Sequence, residues 1–270
     1  MKQDIDKLIG SAVEQTYTVS NKQVRVIRED LAYASPLPPN AKMSALWAIV
    51  QRAHAEHYTG VALFAKKQSG VSYAIGLPHM ANALDMQSLL TYPITPKHKF
   101  PDWLTQTQTD GAEIVPLHPN MVSINVNQNR KLAEMRGYYA VPFGFDDALS
   151  IETHAQRFVL PSNIGTLVLS AMTGMCLAGA ILHLQRNDKF AADIVGVSGG
   201  RDASNIFKTM RKYIDVPENV RIIDEYARHY KPNTVAPFDV HPDYELVAWH
   251  WLTQNVETLK EPIYFLNVGR

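Results

Sequence analysis

Short apolar runs alternate with longer segments along most of this chain. Each run is four to seven residues long and is bordered by glycine or polar residues, as is typical of a buried strand. The runs are Val24–Ile27, Gly60–Phe64, Gly111–Leu117, 165–170, 193–197, 220–223 and 263–267, and Gly137–Gly144 is interpreted as one more strand. Strands that alternate with helices predict mainly parallel sheets covered by helices.

The segments between these runs are predicted to be helices. One apolar stripe begins after Lys42, with Met43, Leu46, Trp47, Val50 and Ala53 at helical spacing. Further helices are predicted up to Leu84, up to about residue 184, from about Ala203, and over 242–258. The segment Ser35–Asn40 is rich in proline and is predicted to be a loop.

The stretch Leu167–Leu184 is the most informative one. An apolar strand ends at Ser170, a short turn follows, and an apolar helix begins near Gly174. The first N–H groups of a helix have no intrahelical acceptor, and together with the helix dipole they favour an anion. This turn is therefore a candidate anion site, although many strand–glycine–helix turns only connect the two elements and bind nothing.

Composition restricts the class of protein. The 270 residues hold 26 Lys and Arg and 26 Asp and Glu, so no overall positive field attracts a polyanion. The hypothesis of a local basic patch that binds nucleic acid is kept, but the net charge does not support it. The single cysteine, Cys176, excludes an intramolecular disulfide. Acidic residues in the first ten positions are unlike a signal peptide, and we expect a cytoplasmic protein without a membrane span.

Seven short segments, in order along the chain, resemble motifs of the tryptophan-synthase-β-like (fold type II) enzymes that use pyridoxal 5′-phosphate (PLP). The greatest likeness is to the branch of aminocyclopropane-carboxylate deaminase and D-cysteine desulfhydrase. The segments are Ile27–Leu31, Asn40–Lys42, Gln68–Ser69, Gly137–Gly144, Thr173–Gly179, Val195–Ser198 and Pro242–Glu245. Their common order, rather than any one of them, carries the resemblance.

The resemblance implies an α/β fold with two three-layer α/β/α domains and PLP in the cleft between them. The smaller domain would span 43–135, and the larger would combine 1–42 with 136–270. It also implies a homodimer. The substrate would be a small amino acid or an amino-acid-modified molecule.

The resemblance also implies the site residues. Lys42 would be the Schiff-base lysine and proton shuttle, Ser69 would bind the substrate carboxylate, and Tyr244 would act as an acid or orienting group. Tyr230 would be the second tyrosine of that branch. The cofactor-binding residues would be Lys42, the phosphate turn and Glu245, whose carboxylate would face the pyridine nitrogen. The turn consists of Met172, Thr173, Gly174, Met175 and Cys176.

The chain departs from the family pattern at several positions. Gly70 and Val71 replace the Asn-His pair that follows the serine, and they are interpreted as opening space for a bulkier substrate. Met175 and Cys176 remove a hydroxyl donor from the phosphate turn, although its backbone N–H groups are unaffected by side-chain changes. Ala41 separates Asn40 from Lys42 and changes the register of the lysine.

The function implied is that of a PLP enzyme acting at the α-carbon of an amino acid, as a lyase, deaminase or decarboxylase. Two alternatives stay open. One is a PLP enzyme that tailors amino-acid-modified bases in bacteriophage DNA. The other is a catalytically inactive relative that serves as a binding or structural module.

Other polar groups have simpler interpretations. His54 and His57 are spaced for a metal pair, but a solvated helix face is favoured because no third ligand follows. His183, on an apolar helix, is interpreted as a core histidine. The segment Ser198–Asp202 is a candidate second anion site, or a turn in which Asp202 caps a helix. Lys97–Lys99 is a short basic run with little weight as a nucleic-acid contact.

Overall fold

In the computed structural model, which describes residues 4–66, 70–95, 98–226 and 235–269, the chain forms two β-sheets flanked by helices. Elements are numbered in chain order. The strands are β1 (Val13–Val19), β2 (Lys22–Arg28), β3 (Gly60–Phe64), β4 (Gln87–Pro93), β5 (Glu113–Leu117), β6 (Tyr138–Ala140), β7 (Asn163–Ser170), β8 (Phe190–Val197), β9 (Val220–Ile223) and β10 (Ile263–Asn267). The helices are α1 (Lys42–Ala55), α2 (Val71–Ala83), α3 (Asp102–Thr109), α4 (Val122–Arg136), α5 (Ala148–Arg157), α6 (Met175–Arg186), α7 (Ala203–Met210) and α8 (Glu245–Asn255).

Each sheet lies in its own unit of the chain. The first unit comprises the chain up to Ile9, Tyr33–Pro38 and Lys42–Asp147. Its four strands are in the order β5-β4-β3-β6, and all of them are parallel. The helix α4 packs on this sheet through Ala133, which meets Ala62 of β3 and Leu89 of β4.

The second unit comprises Gly10–Ala32, Pro39–Ala41 and the chain from Ala148. Its six strands are in the order β1-β2-β10-β7-β8-β9. Only β1 runs antiparallel to its neighbour, so the sheet is mainly parallel, as predicted.

Alternating side chains of β10 show why the second sheet is covered on both faces. Phe265 belongs to an apolar cluster that includes Trp249 of α8, whereas Leu266 belongs to a second cluster that includes Leu177 of α6. Successive strand residues point to opposite faces, so α8 covers one face and α6 the other. Both faces are buried, which explains the continuous apolar runs of these strands. The three-layer α/β arrangement expected from the sequence is confirmed here.

Two sequence-based element predictions are corrected. The strand predicted over Gly137–Gly144 is limited to β6, because Gly137 ends α4 in the left-handed conformation (φ 68°) and Phe143–Phe145 forms a 3-10 turn. The helix predicted over 242–258 is shorter, since α8 begins at Glu245 and a 3-10 turn covers Val256–Thr258. Within the described ranges, no helix is both long and apolar enough to cross a membrane.

Candidate functional site

The turn after β7 has the structure expected of an anion site. Ser170 ends β7, and Gly174 precedes the first residue of α6 in the left-handed conformation (φ 88°). A glycine adopts this conformation without the cost that a Cβ brings. As N-cap, Gly174 has no side chain to cap the helix, so the first N–H groups of α6 point into the turn. The candidate residues Met172–Cys176 therefore lie together at the carboxyl edge of the sheet.

The helix α7 fixes the position of this turn. A Cβ added to Gly174 would lie 2.7 Å from Cγ of Met210 and 3.1 Å from Cγ2 of Ile206. Both residues are fully buried, so neither can move aside freely. The turn is packed against α7 at a separation that only glycine allows.

Glu245 lies at the same edge of the sheet. It is the first residue of α8 and is only 4% exposed. Its Oε1 accepts a hydrogen bond of 2.6 Å from Oγ of Ser170, the last residue of β7. A buried carboxylate that is held by a hydroxyl and lies in the first turn of a helix suits a positively charged partner.

Tyr244 and the turn after β8 complete this edge. The Tyr244 ring stacks on His241, with 4.5 Å between ring centroids and 19° between planes. A Cβ on Gly199 would lie 2.6 Å from the carbonyl oxygen of Asp243 and 3.2 Å from both Sδ of Met172 and Cδ1 of Tyr244. Gly199 therefore allows the segment before α8 to approach the phosphate turn closely.

Lys42 lies in the first unit, where it begins α1. Its Nζ lies 5.5 Å from the ring centroid of Tyr73 and 5.8 Å from that of Phe145, within the range of a cation–π contact. These two rings are buried and contact each other edge to face. The amine is therefore in an aromatic environment, which limits its access to water.

The residues before Lys42 are fixed by the segment that follows β10. The N–H of Ala41 donates to the carbonyl of Val268 at 2.7 Å, and Asn40 pairs with Gly269 in an isolated bridge. The buried amide of Asn267 donates to Oδ1 of Asp30 at 3.0 Å. The inserted Ala41 is thus held in a defined register by backbone hydrogen bonding.

The interpretation that Gly70 opens space for substrate is wrong. Gly70 has φ 105°, and a Cβ added to it would lie 2.9 Å from Cε2 of Tyr73 and 3.2 Å from Cα of Ala65. The Tyr73 ring occupies the volume that a side chain at position 70 would otherwise take. Two other candidates, Ser69 and Tyr230, lie outside the described residues.

Two of the simpler interpretations can also be compared with the structure. Asp202 occupies the N-cap of α7, but its side chain makes no capping hydrogen bond. Instead, Oδ2 of Asp224 accepts from the N–H of Ala203 at 2.6 Å. His183 is a core histidine, as expected: it is 7% exposed, and its Nδ1 lies 2.8 Å from the carbonyl oxygen of Ala155.

Several residues near the candidates were missed in the sequence. Tyr73 and Phe145 surround the amine of Lys42, and Ser170 contacts Glu245. Only Ser170 carries a sequence signal, because a polar residue at the carboxyl end of a buried parallel strand is a common feature of binding sites. The two aromatic residues are far from Lys42 in the sequence and have no motif of their own.

The chemistry of these groups fits PLP. The N-terminus of α6 suits a phosphate, the buried Glu245 carboxylate suits a pyridinium, and the Lys42 amine suits an aldehyde. No metal is required for any of these interactions. Each of these groups, taken by itself, thus suits one functional group of the cofactor that the sequence motifs imply.

The fold is that of the fold type II enzymes, as comparison with solved structures shows. An ACC deaminase homologue matches with a TM-score of 0.78 and 17% identity, over 97% of this chain and 90% of its own. The O-acetylserine-dependent cystathionine β-synthase from Helicobacter pylori matches with a TM-score of 0.69 and 15% identity, over 97% and 92%. The fold predicted from the collinear motifs is confirmed.

Comparison with characterised proteins gives a relative of similar length. The glycyl-dTMP PLP-dependent decarboxylase of Pseudomonas phage M6 is 26% identical over 286 aligned residues, which cover 97% of this chain and 99% of the relative. No protein-family model matches the chain. The relative and this chain therefore correspond from end to end.

Proposed function

We propose that this chain is a PLP-dependent decarboxylase that acts at the α-carbon of an amino acid attached to a thymidylate nucleotide. The observation that carries the cofactor assignment is the pairing of buried Glu245 with Ser170, which ends β7 at the start of the connection to α6. The end-to-end similarity to an enzyme named for glycyl-dTMP supports the substrate and the reaction. The proposal thus unites the general PLP function with the bacteriophage alternative.

Each candidate residue has a defined task in this proposal. Bound PLP supplies an electron sink for the carbanion that forms when CO₂ leaves the α-carbon. Glu245 holds a proton at the ring nitrogen, which makes that sink stronger. Lys42 would hold the cofactor through Nζ, and the same amine would deliver the proton that replaces the departing carboxylate at the α-carbon. Ser69 and Tyr244 contact the substrate.

The aromatic residues around Lys42 support this assignment. Tyr73 and Phe145 are 9% and 0% exposed, and the amine of Lys42 lies beside the faces of both rings. The neutral form of a lysine amine is the nucleophile that attacks an aldehyde. Exclusion of water also protects a carbanion from protonation by solvent.

Absorbance of the purified protein tests the cofactor assignment. We expect added PLP to give a band near the edge of the visible range, and we expect Lys42→Ala to lack it. Lys131→Ala, an exposed lysine of α4, is the control and should keep the band. A colourless wild-type protein would favour the alternative of an inactive binding module.

Release of CO₂ tests the reaction and the substrate. We expect release from glycyl-thymidylate and little from free glycine, because the nucleotide supplies binding energy that glycine lacks. Release of ammonia instead of CO₂ would identify a deaminase and contradict the decarboxylase proposal.

The assembly and location are also part of the proposal. We propose a cytoplasmic protein that forms a homodimer, and the resemblance to the family implies the dimer. Sedimentation of the purified protein would show a monomer if the assembly is wrong.

A further inference from the structure

Arg201 reaches from the turn after β8 to the phosphate turn after β7. Its Nη1 donates to the carbonyl oxygen of Met172 at 3.2 Å, and its Nη2 donates to Oγ1 of Thr209 at 3.1 Å. Its backbone N–H is held by Oγ of buried Ser198 at 2.7 Å. Hydrogen bonds thus fix both the backbone and the guanidinium group of Arg201.

Within the part of the chain that the structure describes, no acidic side chain neutralises the positive charge of this guanidinium. The acceptors that it does have, on Met172, Thr209 and Asn205, are uncharged oxygens. An arginine has five N–H donors and stays ionised, so a cation beside the N-terminus of α6 adds to the positive potential there.

The hydrogen bond to Met172 also determines the direction of a peptide group. In a trans peptide, the carbonyl of one residue and the N–H of the next point in opposite directions. Because Arg201 holds the Met172 carbonyl, the N–H of Thr173 is directed away from the guanidinium. A carbonyl that is fixed in this way cannot turn towards an anion in the turn and repel it.

We propose that Arg201 is a positioning residue for the phosphate group bound at the turn Met172–Cys176. It holds the turn in the conformation that receives a phosphate and supplies the positive charge. It thereby compensates for the hydroxyl donor that Met175 and Cys176 lack. This inference rests on the proposed function, in which the phosphate is that of PLP.

Titration with PLP and with pyridoxal, which lacks the phosphate, tests this role. We expect Arg201→Gln to weaken PLP binding about tenfold or more, as for loss of a charged hydrogen-bonding group, and to change pyridoxal binding by less than about twofold. Arg201→Lys keeps the charge but not the paired donors, and we expect an intermediate affinity for PLP. Arg211→Gln removes an exposed arginine next to α7 and should bind both compounds as the wild type does.

The outcomes separate this inference from the proposal on which it rests. Equal weakening of PLP and pyridoxal in Arg201→Gln would mean a general structural role and overturn the inference. Unchanged PLP affinity would overturn it as well, while the proposed function would stand. A wild-type protein that binds neither compound would overturn both. If Arg201→Gln does not fold, Arg201→Lys is used in its place. A lower ratio of PLP to pyridoxal affinity than in the wild type would support the inference, and an unchanged ratio would overturn it.

Discussion

At the scale of single residues, the contact between Ser170 and Glu245 is the main determinant of the candidate site. Taking a carboxylate out of water is costly unless hydrogen bonds replace the lost hydration. The Ser170 hydroxyl supplies one bond of 2.6 Å, and the first turn of α8 supplies the positive end of a helix dipole. The sequence places Ser170 and Glu245 seventy-five positions apart, so only the folded chain joins them.

Replacement of Glu245 by glutamine tests the role of its charge. Glutamine keeps the size of the side chain and an oxygen that accepts from Ser170, but it cannot hold a proton at the pyridine nitrogen as a carboxylate does. We expect Glu245→Gln to bind PLP and to turn over about a hundredfold more slowly, as for loss of an electrostatic catalytic group. Absorbance would show that PLP is still bound, and turnover measured on the same samples would show the lower rate.

The control for this substitution is Glu257→Gln, which changes an exposed glutamate that follows α8. It should leave turnover unchanged. Normal turnover in Glu245→Gln would rule out the assignment of Glu245 to the ring nitrogen.

His183 gives a pH dependence of stability. Burial lowers the pKa of His183 below its usual value of 6.5, and the nearby Lys189 acts in the same direction. As the pH falls through 6.5, the unfolded chain binds a proton that the folded protein does not, so the free energy of unfolding decreases. We expect His183→Gln to lose less stability than the wild type between about pH 7.5 and about pH 5.5.

Urea unfolding at both pH values measures this difference. His54→Gln, which changes an exposed histidine of α1, should behave as the wild type does. An identical loss of stability in the wild type and in His183→Gln would show that His183 is not the titrating group.

At the scale of elements, the turn between β7 and α6 depends on a single glycine. Gly174 combines a left-handed φ of 88° with a close approach to Met210. Gly200 has a φ of 111° but no atom within 4 Å of an added Cβ. A side chain at Gly200 would therefore meet backbone strain alone, whereas a side chain at Gly174 would meet both backbone strain and a steric clash.

Alanine substitutions at these two glycines should differ in their effect. We expect Gly200→Ala to lower the free energy of unfolding by about 1 kcal/mol, from backbone strain alone. Gly174→Ala should cost about 3 kcal/mol, because the strain is combined with overpacking against Met210, and it should weaken PLP binding. Urea unfolding of the two variants without cofactor gives the comparison. Equal costs would contradict the close packing of the turn on α7.

The ability to predict strands from the sequence depended in part on their burial, although β4 was missed with five buried residues. The strands β7, β8 and β10 were identifiable because both faces of their sheet are covered, which makes most of their residues apolar. The strand β1 was missed because it is an antiparallel edge strand with exposed or partly exposed residues throughout. The anion turn was predictable from local sequence, since a helix N-terminus creates it.

The side-chain contacts around the phosphate turn were harder to predict from the sequence. The Met172–Arg201 hydrogen bond joins two turns that follow neighbouring parallel strands, and nothing local in either turn indicates it. At Gly70, the sequence suggested an open space, but Tyr73 fills it from three residues further along. Side-chain packing of this kind follows from the fold and not from composition.

At the scale of the whole molecule, the balance of charge bears on the substrate. With 26 basic and 26 acidic residues, the chain has no general attraction for a polyanion. A protein that grips DNA through six to ten phosphates loses affinity about a thousandfold or more between about 50 and about 200 mM salt. A neutral protein is better suited to a single nucleotide, which carries one phosphate group.

This difference predicts how salt affects the reaction. We expect the KM for glycyl-thymidylate to rise by less than about tenfold between about 50 and about 200 mM salt, since few phosphate contacts are lost. A DNA oligonucleotide with the same glycyl group should be no better a substrate. The measurement is CO₂ release from each compound across the salt series. A strong preference for the oligonucleotide that disappears at high salt would instead indicate a local basic surface that binds DNA, and the nucleotide would then be recognised within the polymer.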